Sequence, residues 1–154
     1  LKNILLVLST TRQSPKTIDA AFEKAKEEKR GVTALFVLDS EMPESIFEKL
    51  TDIGFTGEKP SQQLHDSILA EYRVRGDRKL KDLGDMARTM AVSFKTIIRE
   101  GDFTKECLSV IGEEEADFVI ITRKKRSSLS RFIFGSALAE INDKTHCKML
   151  IIDE

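Results

Sequence analysis

The chain is short of three things, and each shortage excludes a class of protein. It has two cysteines, Cys107 and Cys147, in 154 residues, too few for a secreted disulfide framework, and both read as small buried hydrophobes. It has no apolar run near the ~18 residues that span a bilayer and no signal peptide, so no membrane span is expected and a cytoplasmic location is. It has no excess of either charge: 33% of residues are charged, yet the net charge is −1. That balance argues against a general nucleic-acid binder, although it permits a local basic patch. Catalytic signatures are missing too. There is no G-x-S-x-G for a nucleophilic hydrolase, and no G-x-x-x-x-G-K-[ST], which removes the lysine and the magnesium-binding hydroxyl of phosphoryl transfer. His146 and Cys147 are adjacent, so a regular strand cannot aim both at one ion, and no paired ligand spacing suggests a metal site. His65 falls on a polar helix face. No efficient enzyme is expected.

What is present reads as one domain, residues 1–154. A chain of this size buries about 68–70% of its unfolded surface and needs no staple. The chain starts at Leu1 without a methionine, which fits either a complete small protein or a domain of a longer one. Ile4 to Leu8 is a continuous apolar run, the mark of a central parallel strand covered on both faces. Ser14-Pro15 reads as an N-cap followed by proline at the first helical position. Ile18, Ala21, Phe22 and Ala25 then form one apolar helix stripe that ends near Gly31. Val32 to Leu38 is a second buried strand. The 39–61 stretch, with Pro43, Gly54, Gly57 and Pro60, is a long connection in which Ile46, Phe47 and Leu50 suggest a short amphipathic turn.

Helical spacing returns at Leu64, Ile68 and Tyr72, and again at Leu80, Leu83, Ala87 and Met90, with Gly76 expected to mark a bend or a change of face between the two sets. Phe94 to Ile98 alternates partly and reads as an edge strand. Gly101 and Thr104 open a helix through about Glu115, with Cys107, Leu108 and Ile111 inward. The stretch from Asp117 to Ser136 then runs from a buried strand, Phe118 to Ile121, through a basic polar loop to a new helical start at Gly135-Ser136. Ala137, Leu138 and Ile141 form the last helix face, and Lys148 to Ile152 the last strand. Alternating strands and helices of this kind predict an α/β doubly wound sheet with helices on both faces. In such sheets a buried strand, a loop and a helix N-terminus together hold phosphorylated ligands.

Four segments, ILLVLSTT, EEADFVIITR, SLSRFIFGS and CKMLIID, carry a resemblance to the universal stress protein family that covers essentially the whole chain. The resemblance implies five parallel strands in the order 3-2-1-4-5, with ligands at the switch point between strands one and four. There the Ser9–Gln13 and Thr122–Gly135 loops meet. It also implies a nucleotide loop of Gly, two residues, Gly, nine residues, Gly, then Ser or Thr. Gly135 and Ser136 match its far end, but Thr122 and Lys125 stand where the near glycines belong, and Ser9 where the family usually has Asp beside the ribose. The candidate nucleotide- or anion-binding residues are therefore Ser9, Thr10, Thr122, Arg123, Lys125, Arg126, Ser127, Gly135 and Ser136. No metal and no catalytic residue is assigned.

The three departures imply the branch of the family that does not depend on ATP: a stress-response regulator acting through protein contact, with no resident cofactor. Two alternatives stand beside it, a nucleotide sensor or slow hydrolase that still admits ATP or AMP, and a regulatory domain of a transporter. Thr122 is expected to block phosphate from the main chain, because a Cβ-branched side chain fills the space that glycine leaves bare. Arg123, Lys124, Lys125, Arg126 and Arg131 read as a solvated face offsetting Glu113-Glu114-Glu115, as an anion site, or as a nucleic-acid or acidic-membrane contact. The last lacks interleaved aromatics, since Phe132 and Phe134 sit in helical-entry context as core. A homodimer through Lys148 to Ile152 is expected, because an apolar strand at a sheet edge invites pairing. A protein partner of unknown identity is expected as well.

Overall fold

The computed structural model describes residues 2–39, 62–123 and 138–154. Its centre is β1 (Ile4–Ser9), every residue of which is buried. The strand carries no polar side chain before Ser9, so it suits a position with neighbours on both edges and cover on both faces. It pairs in parallel with β2 (Val32–Asp39) on one side and β4 (Phe118–Arg123) on the other. β3 (Phe94–Gly101) lies outside β2 and β5 (Lys148–Asp153) outside β4, which gives one five-stranded sheet in the order β3-β2-β1-β4-β5.

The strands alternate their side chains between two cores, as the period of two requires. On one face Ile4, Leu6, Leu8, Ala34, Phe36 and Ile120 pack with α1 (Pro15–Glu28) and α2 (Gln62–Met90). On the other, Leu5, Val7, Leu35, Val37, Val119 and Ile121 pack with α3 (Phe103–Glu113) and with Leu138 and Ile141 of a helical stretch at 138–144. Each fully buried Val, Leu or Ile contributes about 1.5–3 kcal/mol. Crossovers from β1 to β2 to β3 lie on one face and those returning to β4 and β5 on the other, so the switch point falls between β1 and β4. Among the described residues, no helix is long and apolar enough to cross a membrane.

Several local expectations are corrected. α1 begins as the Ser14-Pro15 pair suggests, but the Ser14 side chain makes no capping hydrogen bond; its carbonyl accepts from the Thr17 and Ile18 N–H groups instead, each at 3.1 Å. The helix ends near Gly31 as expected, with left-handed Lys29 as its C-cap. Glycine is needed at 31 for a close approach: a Cβ there would stand 2.6 Å from Asn3 Oδ1 and 3.0 Å from the Ser93 carbonyl oxygen. The N-cap of α3 is Asp102, whose carboxylate accepts from Lys105 N–H at 2.9 Å, where Gly101 and Thr104 were the residues expected to set it up. The amphipathic turn at Ile46, Phe47 and Leu50 lies outside the described residues.

The two helical sets flanking Gly76 are one continuous helix of 29 residues. Gly76 marks no break; it lets the helix lie against Phe36, whose ring carbons would be 3.0 and 3.1 Å from an added Cβ. Gly84, in the same helix, leaves room, with its nearest ring carbons at 3.7 Å. The two glycines therefore differ in sign. Gly84→Ala should raise stability by about 0.5–1 kcal/mol through helix propensity, while Gly76→Val should lower it by about 1–3 kcal/mol through overpacking. Urea unfolding of the two variants checks both.

Candidate functional site

The carboxyl ends of β1 and β4 lie side by side, with Val7 opposite Ile121. The chain leaves β1 in a tight turn. Ser9 and Arg12 exchange two backbone hydrogen bonds, each of 3.1 Å. Ser9 Oγ accepts from Thr11 N–H at 3.3 Å and lies 3.5 Å from Thr11 Oγ1, and Gln13 Nε2 donates to the Thr10 carbonyl at 3.2 Å. The N–H groups of Ser9, Thr11 and Arg12 are thus all engaged within the turn. Ser9 is buried and Thr10 half-buried.

Thr122 ends the buried part of β4. Its hydroxyl lies 2.7 Å from that of Thr17 on α1, and both residues are buried. The side chain faces α1, and the strand alternation places it in the core beside Ile120. A buried hydroxyl pair satisfies both groups where water cannot reach, and losing one partner costs about 1–3 kcal/mol.

Arg123 projects outward and pairs with Asp153 at the matching register of β5. Its Nε and Nη2 donate to the two carboxylate oxygens at 2.6 and 3.0 Å. The hydrogen bond and charge of Asp153 raise the guanidinium's already high pKa. A cation read from sequence as ligand-facing is here held by its neighbouring strand. Lys125, Arg126, Ser127, Gly135 and Ser136 lie outside the described residues, as do Phe132 and Phe134.

The residue that sequence reasoning missed is Arg12. It is only 2% exposed, and its guanidinium carbon sits 4.2 Å from the centre of the Phe103 ring at the start of α3. Cation–π contacts of this kind contribute about 2 kcal/mol when desolvated. One turn further along α3 lies Cys107, fully buried. Burial pushes its thiol up to about 12, with the Arg12 charge pulling in the opposite direction and Asp102 and Glu106 adding to the rise. Arg12 follows a buried strand in a polar turn, and nothing in its neighbours marks it as inward; its partner lies on a distant helix. Among the described residues, no group of His, Cys, Asp and Glu is arranged to hold a metal ion.

The fold and the switch point are those of a family, and the comparison with family profiles agrees. The universal stress protein profile matches residues 1–153. The chain belongs to the universal stress protein family. Membership places it among stress-response proteins. Similar solved structures include universal stress protein UspA from Lactobacillus plantarum, at TM-score 0.73 and 17% identity, covering 97% of each chain. A universal stress protein in complex with cAMP has TM-score 0.59 and 15% identity, over 97% of this chain and 96% of that one. One from Archaeoglobus fulgidus in complex with dAMP has TM-score 0.57 and 11% identity, covering 99% of both. A search of curated protein sequences returned no match.

Cys107 yields a pH test. Its folded pKa of about 12 lies above the ordinary thiol value of 9.0. A raised folded pKa means the native state holds its proton where the unfolded state has released it. The stability linked to the neutral thiol is therefore complete below about pH 9 and is lost as pH rises toward 12. The slope is about 1.4 kcal/mol per pH unit. The stability gap between the parent and Cys107→Ala should narrow by about 2 kcal/mol between pH 8 and 10.5, as measured by urea unfolding.

Proposed function

We propose that this universal stress protein works through protein contact, as a homodimer paired along β5, without dependence on ATP. The observation that carries the reading is the contrast between the two sheet edges. β5 is an outer strand, and its Leu150, 37% exposed, is one of two large hydrophobics exposed among the described residues. Ile152, on the same face of the strand, is half-buried. The opposite edge, β3, is flanked by ion pairs: Lys95 with Glu114 at 2.7 Å, Arg73 with Glu100 at 3.3 Å, and Arg99 with Glu113. Charged edges resist strand addition and apolar ones invite it. A two-fold axis beside β5 would pair each copy with itself and cover Leu150. The same edge then leaves the outer surfaces of α2 and α3 for a protein partner.

The independence from ATP is supported by the turn after β1, where the N–H groups of Ser9, Thr11 and Arg12 are engaged internally, and by Ser9 and Thr122, whose side chains face into the protein. Phosphate binding at a switch point needs main-chain N–H groups turned toward the ligand. The second reading, a nucleotide sensor or slow hydrolase, draws on the relatives solved with cAMP and dAMP.

Two measurements separate these readings. Sedimentation at micromolar concentration should give about twice the mass of one chain, and Leu150→Lys should reduce it to a monomer; a monomeric parent, or a dimer indifferent to the lysine, removes the β5 interface. Calorimetry with ATP and magnesium should show no binding tighter than about 100 μM, near −5.5 kcal/mol. Low-micromolar binding would favour the nucleotide sensor.

A further inference from the structure

The amino ends of β4 and β5 lie at the end of the sheet away from the switch point. There Lys148 N–H donates to the Asp117 carbonyl at 3.0 Å, which sets the segment before β5 beside the segment before β4. α3 ends over this part of the sheet at Glu113, and the helical stretch at 138–144 ends there too. Between them is an open cleft of about 570 Å³. Leu108, Ile111, Gly112 and Ala116 line one side, and Thr145 and Cys147 the other. Leu108, Ala116 and Cys147 pack against the core cluster of Leu5, Val119 and Ile141 yet are only half-buried, so apolar surface opens onto the cleft.

A space of this size suits a small ligand, and two features say of what kind. Thr145 Oγ1 is buried, and among the described residues it has no hydrogen-bond partner. A buried hydroxyl left unsatisfied is costly, and a polar group on a ligand relieves it. The charges around the opening are already matched: Lys144 with Glu140 at 2.7 Å, Glu115 with Lys2 at 3.1 Å, and Asp117 with Arg30. The other polar side chain there, His146, is exposed to solvent. A charged ligand would give up hydration and displace an existing pair to gain a counter-charge.

We propose that this cleft is a second ligand site, apart from the switch point, for a small uncharged apolar molecule with one hydrogen-bonding group. The apolar body lies on Leu108, Ile111 and Ala116, and the polar group meets Thr145 Oγ1. Cys147, a free cysteine on the same side, reports occupancy through its thiol. Gly112 commands the opening. It is exposed, and an added Cβ would meet nothing within 4 Å, so a larger side chain there covers the cleft without displacing the fold. The inference does not draw on the reading about ATP.

The uncharged fluorescent amine N-phenyl-1-naphthylamine serves as probe, with the sulfonated analogue 8-anilino-1-naphthalenesulfonate as the charged control. The amine should bind saturably at a single site, and the sulfonate at least about tenfold more weakly. Gly112→Leu should weaken the amine at least about tenfold. Thr145→Val should weaken it about three- to tenfold, the effect of one hydrogen bond. Saturating amine should also slow iodoacetamide labelling of Cys147 at least about fivefold by mass action, read by peptide mass spectrometry; Cys107 is fully buried and does not compete for the reagent. If Gly112→Leu fails to fold, Thr145→Val and the labelling decide. Binding that does not saturate, a sulfonate bound as tightly as the amine, full affinity in either folded variant, or unslowed labelling of Cys147 overturns the proposal.

Discussion

Everything in this protein is referred to β1. A strand buried on both faces and paired on both edges has no route to water for its main chain, so its peptide groups must be satisfied by β2 and β4. That requirement places β4 beside it even though three crossovers separate them in sequence. The switch point is then a consequence of satisfying one strand twice. The site at its carboxyl end inherits its position from the same constraint, because both loops that meet there leave strands whose registers are locked to β1.

At that site the chain keeps the family's architecture and redirects its polar groups. The serine that ends β1 closes its own turn, the threonine next to the end of β4 bonds to α1, and the arginine that ends β4 is clasped by β5. Each of these groups would cost stability if buried alone, and each has been given a partner inside the protein. A ligand loop does the opposite and leaves donors open until an anion arrives. Family membership therefore identifies the scaffold and the stress-response context, and the disposition of these few side chains bears on the mechanism.

The two sheet edges show a related division. β3 is screened by cross-element ion pairs, each worth little on an exposed surface but together unfavourable to an incoming strand. β5 offers an apolar residue at the same kind of boundary. An edge of this sort is a hazard in a monomer and an asset in a symmetric pair, so the asymmetry between β3 and β5 bears more on assembly than the strength of any single contact.

Much of this could be read without coordinates. Continuous apolar runs at Ile4 to Leu8, Val32 to Leu38 and Phe118 to Ile121 mark buried parallel strands, and the Ile18–Ala25 stripe marks α1, because burial imposes a local period on the residues that undergo it. The family resemblance then carried the strand order. Periodicity does not report which face of a strand meets which helix, so the pairing of Thr122 with Thr17 was not legible in the sequence. Nor does it distinguish a glycine that breaks a helix from one that lets a ring approach, as Gly76 does for Phe36. Arg12 was invisible for a stronger reason. Its neighbours are polar, its partner ring is far along the chain, and only packing α3 onto the sheet brings a cation and an aromatic face together out of water.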